Sequence, residues 1–222
     1  MKILILAAMD KEINLLLNLL KNPEESTLAG NKIWSGKIFN HDVCLSKCGI
    51  GKVNSALNTY RFIKRLEPEL VINSGVAGGA GSPIGTVMVA DRVAYSDVWC
   101  GPGTEYGQAD GFPLFLEPSD KVLKLACDSG MATGLICSGD KFISTAEEIA
   151  FIRGKFPDVK AVDMESASIA QTCILCNVPF AIIRIISDTP GEGENISQYK
   201  DFWTKAPEKT FEVLSKLLEK IE

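Results

Sequence analysis

The chain has 222 residues, 46% hydrophobic and 23% charged, a globular composition that excludes disordered, collagen-like and low-complexity scaffolds. Its 28 acidic residues outnumber 23 basic ones for a net charge of −5, and no basic run stands out, which argues against nucleic acid and anionic membranes as partners. There is one histidine, His41, so a Ser-His-Asp or Cys-His catalytic arrangement or a His-based zinc site would have to recruit it.

Residues 2–8 are a continuous apolar run, followed at once by Asp10-Lys11-Glu12. The run is too short for a signal peptide and reads as a buried parallel strand. Asp10 is placed to cap a helix whose apolar face is Ile13, Leu16, Leu17 and Leu20. Residues 32–38 and 42–48 form a hairpin, with His41 expected as a solvated residue of the polar turn Phe39-Asn40-His41-Asp42. Gly49-Ile50-Gly51 turns into a helix with Val53, Ala56, Leu57, Tyr60 and Ile63 on one face.

A buried strand at 70–73 runs into Gly75-Val76-Ala77-Gly78-Gly79, and a longer strand covers 85–96. Residues 98–117 hold Gly, Pro and aromatics without a clear period, the kind of stretch that is often functional or interface-forming. A helix at 119–129, a strand at 134–138, a helix at 145–154, a strand at 160–163, a helix at 165–176 and a strand at 180–187 follow. The last helix, about 206–221, turns Phe211, Leu214, Leu217, Leu218 and Ile221 inward.

Strands alternating with helices predict an α/β fold, with a central mixed, mostly parallel sheet flanked by helices. No linker divides residues 1–222, which read as one domain. No stretch approaches the ~18 apolar residues of a membrane span. The seven cysteines are odd in number and mostly set in apolar patterns, as expected of reduced, buried thiols in a cytoplasmic protein. Cys173 and Cys176 have the spacing of a redox motif, but late in a helical pattern rather than opening a helix, so neither a redox nor a metal role is read there.

In sheets of this kind ligands bind beyond the carboxyl ends of the strands. The polar breaks at those ends are few: Met9 to Glu12, Asn73 to Gly79, Ser138 to Ile143, Asp163-Met164-Glu165, and Arg184 to Asp188. Each has a plain structural alternative. Glu12 and Glu165 lie where a carboxylate complements a helix dipole. The glycines of 75–79 let backbone N–H groups approach a ligand, which alone is weak evidence. Arg184 is the hardest to dismiss. It interrupts an apolar strand and must find an anion there, with Glu12 or Glu165 as the carboxylate expected to supply it, whether for structure or for function.

At these same residues the sequence resembles the 5'-methylthioadenosine/S-adenosylhomocysteine nucleosidases, within the nucleoside phosphorylase superfamily. The matching segments are Ala7-Ala8-Met9-Asp10-Lys11-Glu12, Gly49-Ile50-Gly51-Lys52-Val53, Gly75-Val76-Ala77-Gly78-Gly79, Ser138-Gly139-Asp140 with Phe142-Ile143, Met164-Glu165, and Arg184 with Ser187-Asp188. They occur in order over nearly the whole chain. The resemblance implies a nucleoside phosphorylase-like fold and hydrolysis of an N-glycosidic bond, without a metal or cofactor. It makes Glu12 the residue that activates water, with Arg184 nearby, and Asp188 the acid that protonates the purine, held by Ser187. Glu165 would bind the ribose hydroxyls and Met164 would pack on the sugar. Phe142 would stack on adenine, with the backbones of Ile143 and Gly78 along its edge. Val76 and Ala77 would line the same wall, Val76 where many relatives carry serine. Met9, Ile50 and Tyr199 would line the 5'-thio pocket.

The chemistry suits these residues. Breaking the bond leaves positive charge on the ribose, which a carboxylate stabilises, and negative charge on the purine, which an acid quenches, so no histidine is required. A purine nucleoside phosphorylase using phosphate is the nearest alternative, and Glu12 would repel phosphate. A non-catalytic nucleoside-binding protein on the same fold is another. A nucleosidase for a nucleotide ranks lower, because no extra basic cluster is present to bind a 5'-phosphate. Small-molecule adenine nucleoside thioethers are the implied substrates. A homodimer is implied too, with the 98–117 segment as a place for the interface.

Overall fold

The structure, a computed structural model, describes residues 1–192, 194–205 and 209–221, the side chains of 204–205 and 209–212 excepted. The first half runs β1 (Lys2–Ala7), α1 (Asp10–Leu17), β2 (Lys21–Leu28), β3 (Asn31–Ile38), β4 (His41–Lys47), α2 (Lys52–Leu66), β5 (Leu70–Gly79) and β6 (Val87–Tyr95). The second half runs α3 (Asp120–Asp128), β7 (Ala132–Ser138), α4 (Ala146–Lys155), β8 (Val159–Asp163), α5 (Ser166–Leu175), β9 (Phe180–Asp188), α6 (Asn195–Lys205) and α7 (Lys209–Lys220).

The strands form one mixed sheet. Its spatial order is β2-β3-β4-β1-β5-β8-β7-β6-β9, and β9 returns to pair with β5. Five strands therefore close on themselves, and β1, β4, β3 and β2 extend from the ring as an open wing. The pairs β1–β4, β1–β5, β5–β9, β6–β7 and β7–β8 are parallel. The hairpin pairs β2–β3 and β3–β4 are antiparallel, as are β6–β9 and the short β5–β8 contact at Gly78 and Gly79.

Alternate residues of β1 serve opposite faces, as strand geometry requires. Leu4 and Leu6 join Phe62 and Ile63 of α2 and Ile169 and Ala170 of α5. Ile3 and Ile5 join Ile13 and Leu16 of α1 and Leu214, Leu217 and Leu218 of α7. A third cluster packs Leu135 and Cys137 against Ile149, Ile152 and Phe156 on the α4 side.

Several elements differ from their sequence patterns. Residues 21–28, unassigned from sequence, form the edge strand β2; seven of its eight residues are exposed, so it carries no apolar alternation to read. Helix α6 was also unassigned, although Ile196, Tyr199, Phe202 and Trp203 follow helical spacing. The last helix is described from Lys209, and residues 206–208 and the Phe211 side chain lie outside the described residues. Helix α1 starts at Asp10 itself, with Met9 as its cap residue.

His41 is not a solvated turn residue. A two-residue turn at Phe39-Asn40 puts it at the start of β4, on the inward side with Val43 and Leu45, and it is buried. Its Nε2–H donates to Leu218 O at 3.0 Å, joining β4 to α7. Of the expected α2 face, only Ile63 is fully buried, and Ala56 is half-buried. Val53, Leu57 and Tyr60 are exposed, while Ser55, Thr59, Phe62 and Ile63 face inward. The small hydroxyl side chains let α2 meet α5 closely, with Ser55 Oγ 2.7 Å from Ser168 Oγ. Among the cysteines, Cys48, Cys137 and Cys173 are buried as expected, but Cys100 and Cys127 are exposed; all seven are free thiols.

Phe62 is fully buried between α2 and the sheet. Phe62→Ala is expected to lower unfolding stability by about 3–5 kcal/mol, measured as a fall in denaturant midpoint at unchanged slope.

Candidate active site

The strand ends converge on an open cleft. Met9 enters from the turn after β1, Glu12 from the first turn of α1, Val76, Ala77 and Gly78 from β5, and Phe142 from the loop after β7. Met164 and Glu165 follow β8, Ser187 and Asp188 end β9, and Tyr199 comes from α6; Ile50 completes the wall. Ile143 lines an adjoining recess with Phe142, Gly78 and Asp188.

Glu12 is held by main-chain donors. Its Oε2 accepts the N–H groups of Ala8 and Met9 at 2.9 Å each, and its Oε1 accepts that of Val76 at 3.1 Å. The glycine-rich end of β5 therefore gives its N–H to this carboxylate, and the approach is close: a Cβ on Gly75 would stand 2.7 Å from Glu12 Oε1. Burial raises the Glu12 pKa above the ordinary carboxylate value, while Arg184 and the three N–H donors act against that.

Arg184 lies beneath the cleft and is not on its lining. The anion it needs is Asp163, not Glu12 or Glu165. Its Nε donates to Asp163 Oδ2 at 2.8 Å and its Nη2 lies 2.7 Å from the same oxygen, both side chains buried. Nη1 donates to Ile183 O at 2.9 Å and Nη2 to Asn73 Oδ1, while Asn73 Nδ2 donates to Leu6 O at 3.0 Å. One guanidinium thus joins β9 to β8 and β5, and through Asn73 to β1. Asp163 also accepts the Ser166 N–H at 3.3 Å and the Ser166 hydroxyl, which anchors the start of α5.

Glu165, the cap residue of α5, is buried and accepts the Gly51 N–H at 3.0 Å. Burial and then the charge of Asp163 push its pKa up to about 7, with Arg184 and the Gly51 donor pulling the other way. Asp188 is also buried. Its Oδ1 accepts the Ser187 hydroxyl at 2.6 Å and its Oδ2 accepts Asn195 Nδ2 at 3.3 Å. Burial raises the Asp188 pKa, opposed by those two bonds.

At the outer end, Tyr199 makes an edge contact with Phe142 at 5.6 Å, and its hydroxyl lies 3.4 Å from Met9 Sδ. Asn195, absent from the sequence-derived site, reaches both Asp188 and Ile143 O, the latter at 3.5 Å. The signal for it was a cap-type residue just ahead of the helical aromatic spacing of α6. Among the described residues, no group of three or more His, Cys, Asp or Glu side chains could hold a metal ion, and no helix is long and apolar enough to cross a membrane.

The model of the phosphorylase superfamily matches residues 2–219, so fold and cleft are those of that class. A 5'-methylthioadenosine/S-adenosylhomocysteine nucleosidase from Geobacillus sp. (strain WCH70) is 39% identical over 207 residues, 89% of either chain. Among solved structures, an S-adenosylhomocysteine nucleosidase from Streptococcus pyogenes in complex with 5-methylthiotubericidin superposes with a TM-score of 0.95 at 32% identity, covering 100% of this chain and 98% of the other. A 5'-methylthioadenosine/S-adenosylhomocysteine nucleosidase from Colwellia psychrerythraea 34H, in complex with adenine, gives a TM-score of 0.93 at 33% identity, covering 99% and 95%. The chain belongs to the family of the 5'-methylthioadenosine/S-adenosylhomocysteine nucleosidases.

The burial of Glu165 has a cost that depends on pH. Its folded pKa near 7 lies above the ordinary 4.5, so the folded chain binds a proton that the unfolded chain has released. The stability this contributes is fully present below about 4.5 and is lost as pH rises through about 7. Glu165→Gln is therefore expected to raise the Tm more at about pH 8 than at about pH 4, read by thermal scans at the two values.

Proposed function

We propose that the chain hydrolyses the N-glycosidic bond of 5'-methylthioadenosine and S-adenosylhomocysteine, releasing adenine and the 5-thioribose product. The observation that carries this reading is a pair of buried carboxylates, Glu12 and Asp188, on the lining of one cleft. Glu12 is gripped by main-chain donors at one end of β5, and Asp188 is pushed toward its protonated form at the end of β9. A base and an acid are what the charges of the bond-breaking step require, and these two carboxyl groups support that reading.

In this mechanism Glu12 orients a water and takes its proton. Arg184 acts on Glu12 through its field, since its own donors are spent on Asp163, Asn73 and Ile183. Asp188 delivers a proton to the purine from Oδ2, which carries only the long bond from Asn195, while Ser187 holds Oδ1. Ionised Glu165 accepts the ribose hydroxyls and stabilises the cationic sugar, against Met164. Phe142 stacks on adenine, with the Ile143 and Gly78 backbones at its edge. Met9, Ile50 and Tyr199 take the 5'-thio substituent, and Val76 and Ala77 close the inner wall. No step needs a metal or cofactor. Residues 1–222 act as one catalytic domain in this reading, and the free cysteines suit a cytoplasmic setting.

The test incubates the purified chain with each thioether in phosphate-free buffer and identifies the products by chromatography. Adenine release without phosphate is expected. Dependence on added phosphate would make the chain a phosphorylase, and tight binding without release a binding protein. Asp188→Asn should lower kcat by about 10²–10⁴-fold while the Kd for a non-hydrolysable substrate analogue changes little.

We also propose a homodimer built on the outer face of α2. Ile50, Val53, Leu57 and Tyr60 are exposed there, Val53 by 76%, and contiguous apolar faces of this kind mark association surfaces. The 98–117 segment starts beside that face, because Lys52 of α2 bonds Asp97. Sedimentation should give twice the chain mass, and Val53→Asp with Leu57→Asp should shift it to one.

A further inference from the structure

Behind the cleft wall, three loops are tied together by one charged ring. Lys52, the first residue of α2, donates from Nζ to both carboxylate oxygens of Asp97 at 2.9 Å each. Its main-chain N–H donates to Asp140 Oδ1 at 2.6 Å, and the Asp140 N–H donates to Asp97 Oδ2 at 2.8 Å. The Lys52 ammonium also stands 5.6 Å from the centre of the Tyr95 ring. The Tyr95 hydroxyl donates to Gln171 of α5 at 2.6 Å.

None of Lys52, Asp97 and Asp140 lines the cleft, but the ring reaches it at two points. Gly51, next to Lys52, gives its N–H to Glu165 Oε1. Phe142, two residues beyond Asp140, forms part of the wall. The fit is tight, since a Cβ on Gly51 would stand 2.9 Å from Asp140 Oδ1. The Lys52 and Asp97 side chains are 25% and 33% exposed, and ion pairs open to water in this way add little stability. What the ring supplies is register: two main-chain N–H groups from different loops are fixed by carboxylates of a shared cluster.

We propose that Asp97 is a positioning residue for ribose binding, holding Lys52 and Asp140 so that the Gly51 N–H stays on Glu165 and keeps that carboxylate aimed at the sugar. This rests on the reading of Glu165 as the ribose-binding group. Asp97 acts through Gly51 and touches no substrate atom.

The test measures kcat and KM for 5'-methylthioadenosine across pH in the unsubstituted chain, in Asp97→Ala and in Lys52→Met, each with and without Glu165→Gln. Either single variant is expected to raise KM about tenfold, an ordinary coupling within one hydrogen-bond network, with a smaller change in kcat. The acidic limb of kcat/KM should move to higher pH, because the Gly51 donor favours ionised Glu165. On the Glu165→Gln background the same substitutions should cost little more. Equal losses on both backgrounds, or a lower Tm with KM and acidic limb unmoved, would make the ring a brace and overturn the proposal. Lys52→Met leaves Asp97 in place and serves if Asp97→Ala does not fold. Adenine release by the unsubstituted chain separates the two readings: its absence overturns the nucleosidase reading and the ribose assignment with it, whereas release with unaltered KM in the variants overturns the Asp97 inference alone.

Discussion

The site depends on a buried ion pair. Arg184 and Asp163 are both out of water, and a guanidinium in an apolar strand is tolerable only because Asp163, Asn73 and the Ile183 carbonyl satisfy it together. Removing one partner of such a pair typically costs about 3–5 kcal/mol, because the other is left charged and unpaired. Here the pair joins β9 to β8 and β5, the strands whose ends carry Asp188, Glu165 and Val76. The closed five-strand ring and the polar knot inside it are two descriptions of one constraint: the ends can converge because the arginine holds them.

Glu12, Asp163, Glu165 and Asp188 share the cleft, each in its own set of hydrogen bonds. Asp163 is in direct contact with the guanidinium and stays its partner. Glu12 is buried but has three N–H donors, which support its ionised form. Glu165 has one such donor and feels Asp163. Asp188 is held by the neutral side chains of Ser187 and Asn195, and burial raises its pKa. Burial thus raises the Glu12, Glu165 and Asp188 carboxyls alike, and what differs among them is the set of donors that opposes it.

Much of this was legible in the sequence because polar residues at the ends of apolar strands stand out. Met9, Glu12, Val76, Ala77, Gly78, Phe142, Met164, Glu165, Ser187 and Asp188 all line the cleft. The partner of Arg184 was not legible: Asp163 stands in the same polar break as Glu165, and only the ring closure, which sets both β8 and β9 beside β5, selects it. Helix α2 misled for a different reason. Val53, Leu57 and Tyr60 have core spacing, but spacing identifies an apolar face without saying what covers it, and the inner face was written in serine and threonine. His41 was one residue too close to its turn: with a tight two-residue turn, the next side chain already belongs to the strand and alternates inward.

The grip on Glu12 comes from the N–H groups of residues 8, 9 and 76, and no side chain takes part. Every amino acid except proline supplies an N–H, so this grip on the Glu12 carboxylate does not depend on which side chains occupy those three positions. Drift at the pocket wall can then reshape what the cleft accepts without disturbing the Glu12 carboxylate. A lineage can change the side chain at position 76, on the cleft lining, while the inherited path of the backbone keeps its N–H on Glu12.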